Sequence, residues 1–441
     1  MNVREATLKL LLEYEESGKY VNLSLNSHVT DALTREEKSF LTVLLYTTVE
    51  RKLTFDYYIS ALSSRSIDSI KPRTRNILRL GLCQITMIDS VPDYAAVNET
   101  VKLTKNPGER SFVNGVLREA VRRKEDGTLP MPEAEKNYLR YLSVKESFPL
   151  PLVRHFSSLF GIEETEKILS AFNTERHTDL TVNTNKISRE SFIRLLLAMG
   201  ISAEPSPISS ISVRISGSVA PASLPGYNEG YFLVQDAASA IAVEALGPIE
   251  GMTCIDSCSA PGGKSFAAAI LSADNARIIS SDIHESKLSL IESGAERLGL
   301  KSISVTCRDA SVACESLLGV ADRVICDVPC SGLGVIGKKP DLRYKELTLD
   351  SLVDIQYSIL TASAKYLKVG GRLLYSTCTL NPKENEDNVL RFIEENKDFR
   401  LTSFTVGDLS SESGMLTLFP HIHKTDGFFI SLIERVGNDE K

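Results

Sequence analysis

Two cysteines in the second half of the chain each lie in a short motif that follows a strand-like segment. Cys330 belongs to Asp327-Val-Pro-Cys-Ser-Gly332, and Cys378 belongs to Tyr375-Ser-Thr-Cys-Thr379. A cysteine thiolate is a strong nucleophile that can form a covalent intermediate with an electron-poor carbon. The two motifs therefore predict covalent chemistry at cysteine, although their spacing leaves open which sulfur attacks.

A third motif predicts a ligand beside these cysteines. The segment Asp256-Ser-Cys-Ser-Ala-Pro-Gly-Gly-Lys264 joins a strand-like segment to a helical one. Its glycines let the backbone approach a ligand, and the free N–H groups at a helix start favour a carboxylate or a phosphate. Asp282 and Asp309 close the next two strand-like segments, where carboxylates can accept ribose hydroxyls and reach an adenine amino group. These positions predict a nucleoside pocket.

A fourth motif offers a competing prediction. The segment Gly332-Leu-Gly-Val-Ile-Gly337 matches the glycine pattern of NAD-binding proteins. However, Lys338-Lys-Pro340 interrupts any helix directly after it, and the motif follows the fourth strand-like segment rather than the first. An NAD-dependent dehydrogenase is therefore a disfavoured alternative. The cysteine spacings are not Cys-x-x-Cys and the six histidines show no ligand pattern, so we expect no metal.

The elements that must position these motifs follow from the spacing of the apolar residues. After Gln235, strand-like and helical segments alternate, which is typical of a parallel, doubly wound α/β sheet. The strand candidates are Thr253–Asp256, Arg277–Asp282, Ile303–Cys307, Arg323–Asp327, Arg372–Cys378 and Gly427–Ile433. The first five end on or near an aspartate or a cysteine, and ligands bind at the carboxyl ends of such strands. The sequence therefore predicts an active site along this edge.

The rest of the chain predicts two smaller domains. Residues 1–127 show helical spacing throughout, with a capping box at Thr34-Arg-Glu-Glu37 and a proline at a helix start at Pro72. Residues 128–235 combine a linker, an amphipathic helix around 152–172 and alternating strand-like segments, which indicates a small α+β module of split βαβ type. The predicted domains are 1–127, 128–235 and 236–441.

Composition and charge narrow the class of protein. The 441 residues have a net charge of -7. Residues 1–127 contribute 19 basic and 17 acidic side chains, a balance of +2, whereas residues 236–441 contribute 21 and 29, a balance of -8. No apolar run is long enough for a membrane span or a signal peptide, and the eight dispersed cysteines do not suggest disulfides. We expect a cytoplasmic monomer.

The chain resembles the RNA cytosine-C5 methyltransferases of the Sun family. In its C-terminal half the resemblance lies in the three motifs that contain Lys264, Cys330 and Cys378. It extends to Asn381-Pro-Lys-Glu-Asn-Glu386 and Asp426-Gly-Phe-Phe429. In the N-terminal region, the segments Arg79-Leu-Gly-Leu-Cys-Gln84, Ala95-Ala-Val-Asn-Glu-Thr100 and Phe112-Val-Asn-Gly-Val-Leu-Arg118 resemble the NusB-like domain of the RsmB branch.

The resemblance implies an S-adenosylmethionine-dependent enzyme that methylates carbon 5 of a cytosine in 16S ribosomal RNA, at position 967 in the RsmB branch. It implies a NusB-like helical domain, a module like an RNA-recognition motif and a Rossmann-like methyltransferase domain. By resemblance, Cys378 is the nucleophile, Cys330 assists release, and Asp327 lies between the cofactor and the base. The implied cofactor contacts are Cys258, Ser259, Ala260, Pro261, Gly262, Gly263, Lys264, Asp282, Asp309 and Asp327.

Clusters of basic residues near helix ends are either solvated helix faces or contacts for RNA phosphates. The candidate RNA contacts in these clusters are Lys71, Arg73, Arg75, Arg79, Arg118, Arg122 and Arg123. Further candidates, just beyond Cys330 and so nearer the chemistry, are Lys338, Lys339 and Arg343. One alternative function is the same chemistry on another RNA, such as transfer RNA. Another is an RNA-binding assembly factor with an inert C-terminal fold, which the intact cysteines and cofactor motif disfavour.

Overall fold

The structure of the chain is a computed structural model. It describes residues 2–17, 33–174, 177–217, 220–345 and 350–437. Two compact units are formed. The first comprises residues 1–173 and 339–346, and the second comprises 174–338 and 347–441. The helices within 128–173 belong to the first unit, and the division into three domains stays a prediction.

The first unit is helical. Its helices are α1 (Val3–Ser17), α2 (Arg35–Glu50), α3 (Lys52–Ser63), α4 (Pro72–Met87), α5 (Asp93–Val101), α6 (Pro107–Glu125), α7 (Tyr138–Lys145), α8 (Leu150–Phe160) and α9 (Ile162–Ala171). Buried apolar side chains of α1 to α6 form one continuous core. This core confirms the predicted all-helical N-terminal fold.

Local sequence signals set several of the helix ends. Thr34 Oγ1 accepts a hydrogen bond from the Glu37 N–H at 3.2 Å, and Glu37 Oε2 accepts one from the Thr34 N–H at 2.9 Å, which confirms the capping box. Pro72 is the first residue of α4, where its missing N–H costs no helical hydrogen bond. The single helix predicted around 152–172 is wrong, because Gly161, at φ +78°, separates α8 from α9.

The second unit begins with a small antiparallel sheet in the order β2-β3-β1-β4. Its elements are β1 (His177–Val182), α10 (Arg189–Ala198), β2 (Ala203–Pro205), β3 (Ser212–Ser216) and β4 (Phe232–Val234). Leu180 of β1 and Val213 of β3 form a core with Phe192 of α10. The predicted α+β module is thereby confirmed.

The remainder of the second unit is a mixed sheet in the order β10-β14-β9-β8-β5-β6-β7, with β13 paired to β14. Its strands are β5 (Thr253–Asp256), β6 (Arg277–Asp282), β7 (Ile303–Cys307), β8 (Ala321–Asp327), β9 (Leu367–Thr377), β10 (Phe399–Leu401), β13 (Met415–Leu418) and β14 (Phe428–Arg435), and a separate hairpin holds β11 (Phe404–Val406) and β12 (Leu409–Ser411). Strands β5 to β9 are parallel, as expected. The wholly parallel sheet is wrong, because β14 runs antiparallel to β9.

Helices cover both faces of this sheet. They are α11 (Ala237–Ala245), α12 (Gly263–Leu271), α13 (Glu285–Leu298), α14 (Asp350–Ala364), α15 (Glu386–Glu395) and the short α16 (Pro420–His423). Along β8, Ile325 packs into the core that contains α11 to α13, whereas Val324 and Cys326 pack into the core that contains α14 and α15. This alternation confirms a doubly wound domain. None of the helices in the described residues is long and apolar enough to cross a membrane.

Candidate active site

Cys330 and Cys378 meet at the carboxyl edge of the large sheet. Strands β8 and β9 are parallel neighbours with Asp327 opposite Ser376, so each cysteine lies just beyond its strand. The two Sγ atoms are 3.1 Å apart, and neither cysteine is in a disulfide. The contact with Cys378, then burial and the charge of Glu384, raise the pKa of the Cys330 thiol well above its usual value. Cys330 therefore keeps its proton and can donate it toward Cys378.

Asp327 forms an ion pair with Lys264, a contact that the sequence did not predict. Lys264 Nζ lies 2.8 Å from Asp327 Oδ2 and donates to Ser239 Oγ at 2.8 Å. The Ser376 hydroxyl donates to Asp327 Oδ1 at 2.7 Å, and Lys264 Nζ also lies 5.0 Å from the ring centroid of Phe428. Lys264 is only 8% exposed, but the Asp327 side chain is 33% exposed. The carboxylate is thus fixed in position and still accessible to a substrate.

The predicted cofactor contacts Cys258, Ser259, Ala260, Pro261 and Gly262 lie in the loop between β5 and α12, and Gly263 and Lys264 are the first two residues of α12. Gly262 has φ +111°, and a Cβ at this position would lie 2.3 Å from the Phe266 ring. The Ala260 N–H donates to Asp282 Oδ2 at 3.3 Å, and α12 begins at Gly263. The loop therefore ties the ends of β5 and β6 together and presents a helix start at the same edge.

The two carboxylates predicted to bind a nucleoside lie at the ends of parallel neighbours. Asp282 ends β6, is largely buried, and accepts a hydrogen bond from the His284 N–H at 2.9 Å. Asp309 follows β7 and is exposed. It accepts hydrogen bonds from the Ser311 hydroxyl at 2.7 Å and the Ser311 N–H at 2.9 Å, and these lower the pKa of Asp309. Both groups therefore lie at the same edge of the sheet, and Asp282 contacts the loop before α12.

Sequence reasoning missed two apolar residues at this border. Ile283 directly follows Asp282 and is 57% exposed, and Val312 follows Asp309 by three residues and is 63% exposed. Ligand pockets combine such apolar surface with a few polar groups. The sequence could have indicated these two residues, because each lies shortly after an aspartate at the end of a strand.

Sequence reasoning also missed the burial of Asp256, which ends β5. The Ser265 hydroxyl donates to Asp256 Oδ2 at 2.6 Å, but Oδ1 is buried without a hydrogen-bond partner among the described residues. Burial, together with the negative charge of Asp327, raises the pKa of Asp256 to about 7 despite the opposing Ser265 contact. Nη1 of Arg308, just after β7, is likewise buried and has no hydrogen-bond partner within the described residues. Asp256 therefore lies inside the fold beneath this edge, whereas the Arg308 guanidinium is left with an unpaired donor there.

The glycine motif that mimics an NAD site supports Cys378 instead. The Gly334 N–H donates to the Cys378 carbonyl at 2.9 Å, and the Gly427 N–H donates to the Gly334 carbonyl at 2.9 Å. A Cβ on Gly334 would lie 1.8 Å from the Gly427 carbonyl oxygen. This motif is followed by a 3-10 turn at Pro340–Tyr344 rather than by a dinucleotide-binding helix. The glycines are therefore needed for close backbone packing behind the nucleophile candidate.

Two of the predicted RNA contacts are internal to the first unit. Arg79 is 3% exposed, and its guanidinium bonds Asp56 at 2.7 Å and Glu15 at 2.5 Å. Arg343 is fully buried, and its guanidinium donates to the Glu50 carbonyl at 3.1 Å and to Asn173 Oδ1 at 2.8 Å. Because both guanidiniums are engaged inside the fold, the prediction that they contact phosphate is corrected.

The other predicted RNA contacts differ in exposure. Lys338 pairs with both Asp236 and Asp426. Arg73 donates to the Leu103 carbonyl at 2.6 Å, and Arg75 lies 3.6 Å from Glu15. Besides Lys338, the exposed cations are Lys71, Arg118, Arg122, Arg123 and Lys339. Arg122 and Arg123 both pair with Glu119, which leaves them on the solvent face of α6.

A doubly wound domain that brings two carboxylates, predicted to bind a nucleoside, and two cysteines to one strand edge is typical of a group-transfer enzyme with a nucleoside cofactor. Family models match the chain in three parts: 16S rRNA methyltransferase RsmB/F over residues 243–434, the NusB family over 1–122, and the RsmF/B-like ferredoxin-like domain over 148–221. The chain belongs to the RsmB/F family of 16S rRNA methyltransferases.

Individual relatives agree with this assignment. The chain is 34% identical, over 99% of both sequences, to a probable ribosomal RNA small subunit methyltransferase B of Bacillus subtilis. The crystal structure of PH0851 is 26% identical and superposes with a TM-score of 0.78 over 98% of each chain. NSun6 from Pyrococcus horikoshii, solved with SFG, an S-adenosylmethionine analogue, is 25% identical with a TM-score of 0.60. It covers 66% of this chain and is itself covered completely.

Proposed function

We propose that this protein methylates carbon 5 of a cytosine in 16S ribosomal RNA through a covalent bond between Cys378 and carbon 6 of the base. Membership of the RsmB/F family supports a ribosomal RNA substrate, and resemblance to the RsmB branch points to cytosine 967. The observation that carries the chemistry is the 3.1 Å separation between the sulfur atoms of Cys330 and Cys378.

The residues beside the β5–α12 loop fit S-adenosylmethionine, the methyl donor of this class of enzyme. Asp282 suits the ribose hydroxyls, Asp309 suits the adenine amino group, and the first turn of α12 offers N–H groups to a carboxylate. The unpaired Nη1 of Arg308, just after β7, adds a polar partner. When bound, the cofactor supplies the electrophilic methyl group that carbon 5 takes.

Two cysteines are useful because carbon 5 of cytosine is a weak nucleophile. A thiolate that adds to carbon 6 makes carbon 5 electron-rich, so one difficult step becomes two easier ones. Cys330 keeps its proton, and its S–H can stabilise negative charge on the sulfur of Cys378 3.1 Å away. This division of roles supports Cys378 as the nucleophile.

Asp327 and Lys264 suit the polar edge of the base. The Asp327 carboxylate can accept a hydrogen bond from the cytosine amino group or share a proton with the ring nitrogen as carbon 6 is attacked. Lys264 and Ser376 hold its two oxygens at 2.8 and 2.7 Å, so the group needs little reorganisation. We propose that Asp327 orients the target base and Lys264 orients Asp327.

Release of the product needs a base near carbon 5. The carbon 5 proton leaves, its bonding electrons form the C5=C6 double bond, and the C6–S electron pair departs with the sulfur of Cys378. While Cys378 is a thioether, it no longer places a negative charge beside Cys330. Because that contact is the largest cause of the raised Cys330 pKa, Cys330 then loses its proton more readily and can assist release.

RNA containing 5-fluorocytosine tests the assignment, since fluorine at carbon 5 blocks release and traps the adduct. We expect wild type and Cys330→Ala to form a stable protein–RNA adduct and Cys378→Ala to form none, measured on denaturing gels. An adduct that survives Cys378→Ala but disappears in Cys330→Ala would reverse the roles. With ordinary RNA, Cys330→Ala should accumulate adduct. Bisulfite mapping of RNA from a deletion strain separates the ribosomal target from transfer RNA.

The remaining predictions are proposals about RNA binding. We propose that a helical domain at 1–127 and a module at 128–235 hold the RNA around a base that the domain at 236–441 modifies. A cytosine must be unpaired or extruded for attack at carbon 6, which suits recognition of a loop. The proposed phosphate contacts are the exposed cations other than the doubly paired Lys338, namely Lys71, Arg118, Arg122, Arg123 and Lys339.

A further inference from the structure

A buried carboxylate lies behind the two cysteines. Glu384 ends a 3-10 turn at Pro382–Glu384, between β9 and α15, and has no exposed surface. Glu384 Oε1 accepts the Ser331 hydroxyl at 2.6 Å and the Asn381 amide at 3.0 Å. Its Oε2 accepts the Ser331 N–H at 2.9 Å and the Gln356 amide at 2.9 Å. Donors at both oxygens hold this carboxylate in place inside the fold.

These contacts reach the loop of each cysteine. Ser331 follows Cys330 directly, and Gln356 also donates to the Pro329 carbonyl at 2.9 Å, on the other side of Cys330. Thr379 follows Cys378, and its hydroxyl lies 3.5 Å from Glu384 Oε1 and 2.8 Å from the Ser331 hydroxyl. Both oxygens of Glu384 are paired, and buried hydrogen bonds of this kind restrict the geometry of the groups that they join.

The charge of Glu384 acts on the same pair. Its negative charge is one of the causes that raise the pKa of Cys330, so the carboxylate favours the protonated thiol before attack and makes a deprotonated Cys330 a stronger base afterwards. A neutral or displaced side chain at this position would weaken both effects.

We propose that Glu384 is a positioning residue that holds the Cys330 loop against the Cys378 loop and thereby determines the rate of product release. The inference rests on the proposed covalent chemistry and adds a residue to it. Glu384 itself does not contact the base, since its oxygens are engaged inside the fold.

The test is Glu384→Gln, which keeps the shape and removes the charge and at least one acceptor. We expect kcat to fall about tenfold, KM for S-adenosylmethionine to stay within about twofold, and covalent adduct to accumulate on ordinary RNA as in Cys330→Ala. A matched control is Glu386→Gln, whose carboxylate accepts from Thr417 at 2.8 Å. The control should release product like wild type.

A double variant tests whether Glu384 acts through Cys330. Residues that act as a unit show non-additive effects, so Cys330→Ala combined with Glu384→Gln should be no slower than Cys330→Ala alone. If Glu384→Gln folds poorly, Ser331→Ala removes the 2.6 Å donor to Glu384 and should show the same adduct to a smaller extent. Additive losses, or reduced activity without adduct, would overturn the positioning role.

The same experiments distinguish a failure of this inference from a failure of the proposed function. If wild type forms no 5-fluorocytosine adduct, the covalent chemistry itself fails. If wild type and Cys330→Ala behave as expected but Glu384→Gln matches Glu386→Gln, the chemistry stands and only the role of Glu384 is wrong.

Discussion

Two aspartates at neighbouring strand ends have different surroundings. Asp327 has an ammonium group at 2.8 Å and a hydroxyl donor at 2.7 Å. Asp256 is buried, has the hydroxyl donor of Ser265, and has its pKa raised to about 7. Below that pH, a protonated Asp256 spares the site a second negative charge beside Asp327. The two acids therefore suit different tasks, Asp327 toward the substrate and Asp256 within the fold.

This difference predicts a pH-dependent stability. The pKa of Asp256 is near 3.9 when unfolded and about 7 when folded, so the folded state binds more protons between these values and stability falls as the pH rises through them. Asp256→Asn has no titrating group at this position, so its free energy of unfolding does not fall in this way. The fall in wild type is at most about 4 kcal/mol. Melting temperatures of wild type and variant from pH 5 to 8 should diverge in favour of the variant and level off above 7.

A control is available in the same sheet. The Asp322 carboxyl does not change its protonation between pH 5 and 8. Burial alone would raise its pKa, but hydrogen bonds from Lys368 and from the Thr253 N–H outweigh burial and lower the pKa. Asp322→Asn should therefore differ from wild type by a constant amount between pH 5 and 8. The same constant difference for Asp256→Asn would contradict the assigned protonation.

The sequence predicted which residues lie at the strand ends better than it predicted which side chains those residues contact. Cys330 and Cys378 were expected at one edge because parallel strands end together, and the structure places their sulfurs 3.1 Å apart. The Lys264–Asp327 pair and the burial of Glu384 depend on the path of separate loops, which no local pattern encodes. Motif resemblance included Lys264 and Glu384 but not these contacts.

At the scale of elements, the positions of helix ends could be predicted from the sequence, but the elements that pack or pair with one another could not. The capping box at Thr34 and the proline at the start of α4 are local, so their effects could be inferred from a few residues. The antiparallel direction of β14 depends on its chain connection and pairing with β9. The basic character of α4 likewise concealed that Arg79 points into the fold, where it joins α1 and α3.

Arg79→Ala should accordingly destabilise the first unit. Removing the guanidinium leaves Asp56 and Glu15 without their buried partner, which costs about 3 to 5 kcal/mol. Arg122→Ala removes an exposed pair with Glu119 and should cost about 1 kcal/mol or less. Urea unfolding of the full chain measures both. Equal losses would show that Arg79 is not the internal link assigned to it.

At the scale of the whole molecule, the net charge of -7 repels RNA at long range, so binding must rely on local contacts. The excess of acid lies in residues 236–441, whereas residues 1–127 have a balance of +2. Burial of Arg79 and Arg343 reduces the cations available to phosphate. The exposed end of α6 is the strongest remaining cluster of the predicted contacts.

Neutralising that cluster should change how RNA binding depends on salt. Each phosphate contact contributes about 0.7 to 0.9 to the slope of log K against log salt, so changing Arg118, Arg122 and Arg123 together to Gln should reduce the slope by about 2. The matched control changes three exposed lysines elsewhere in the first unit, Lys9, Lys136 and Lys167, to Gln. Because both triple variants lose the same charge, a general electrostatic effect would lower both slopes equally and would refute a specific contact at α6.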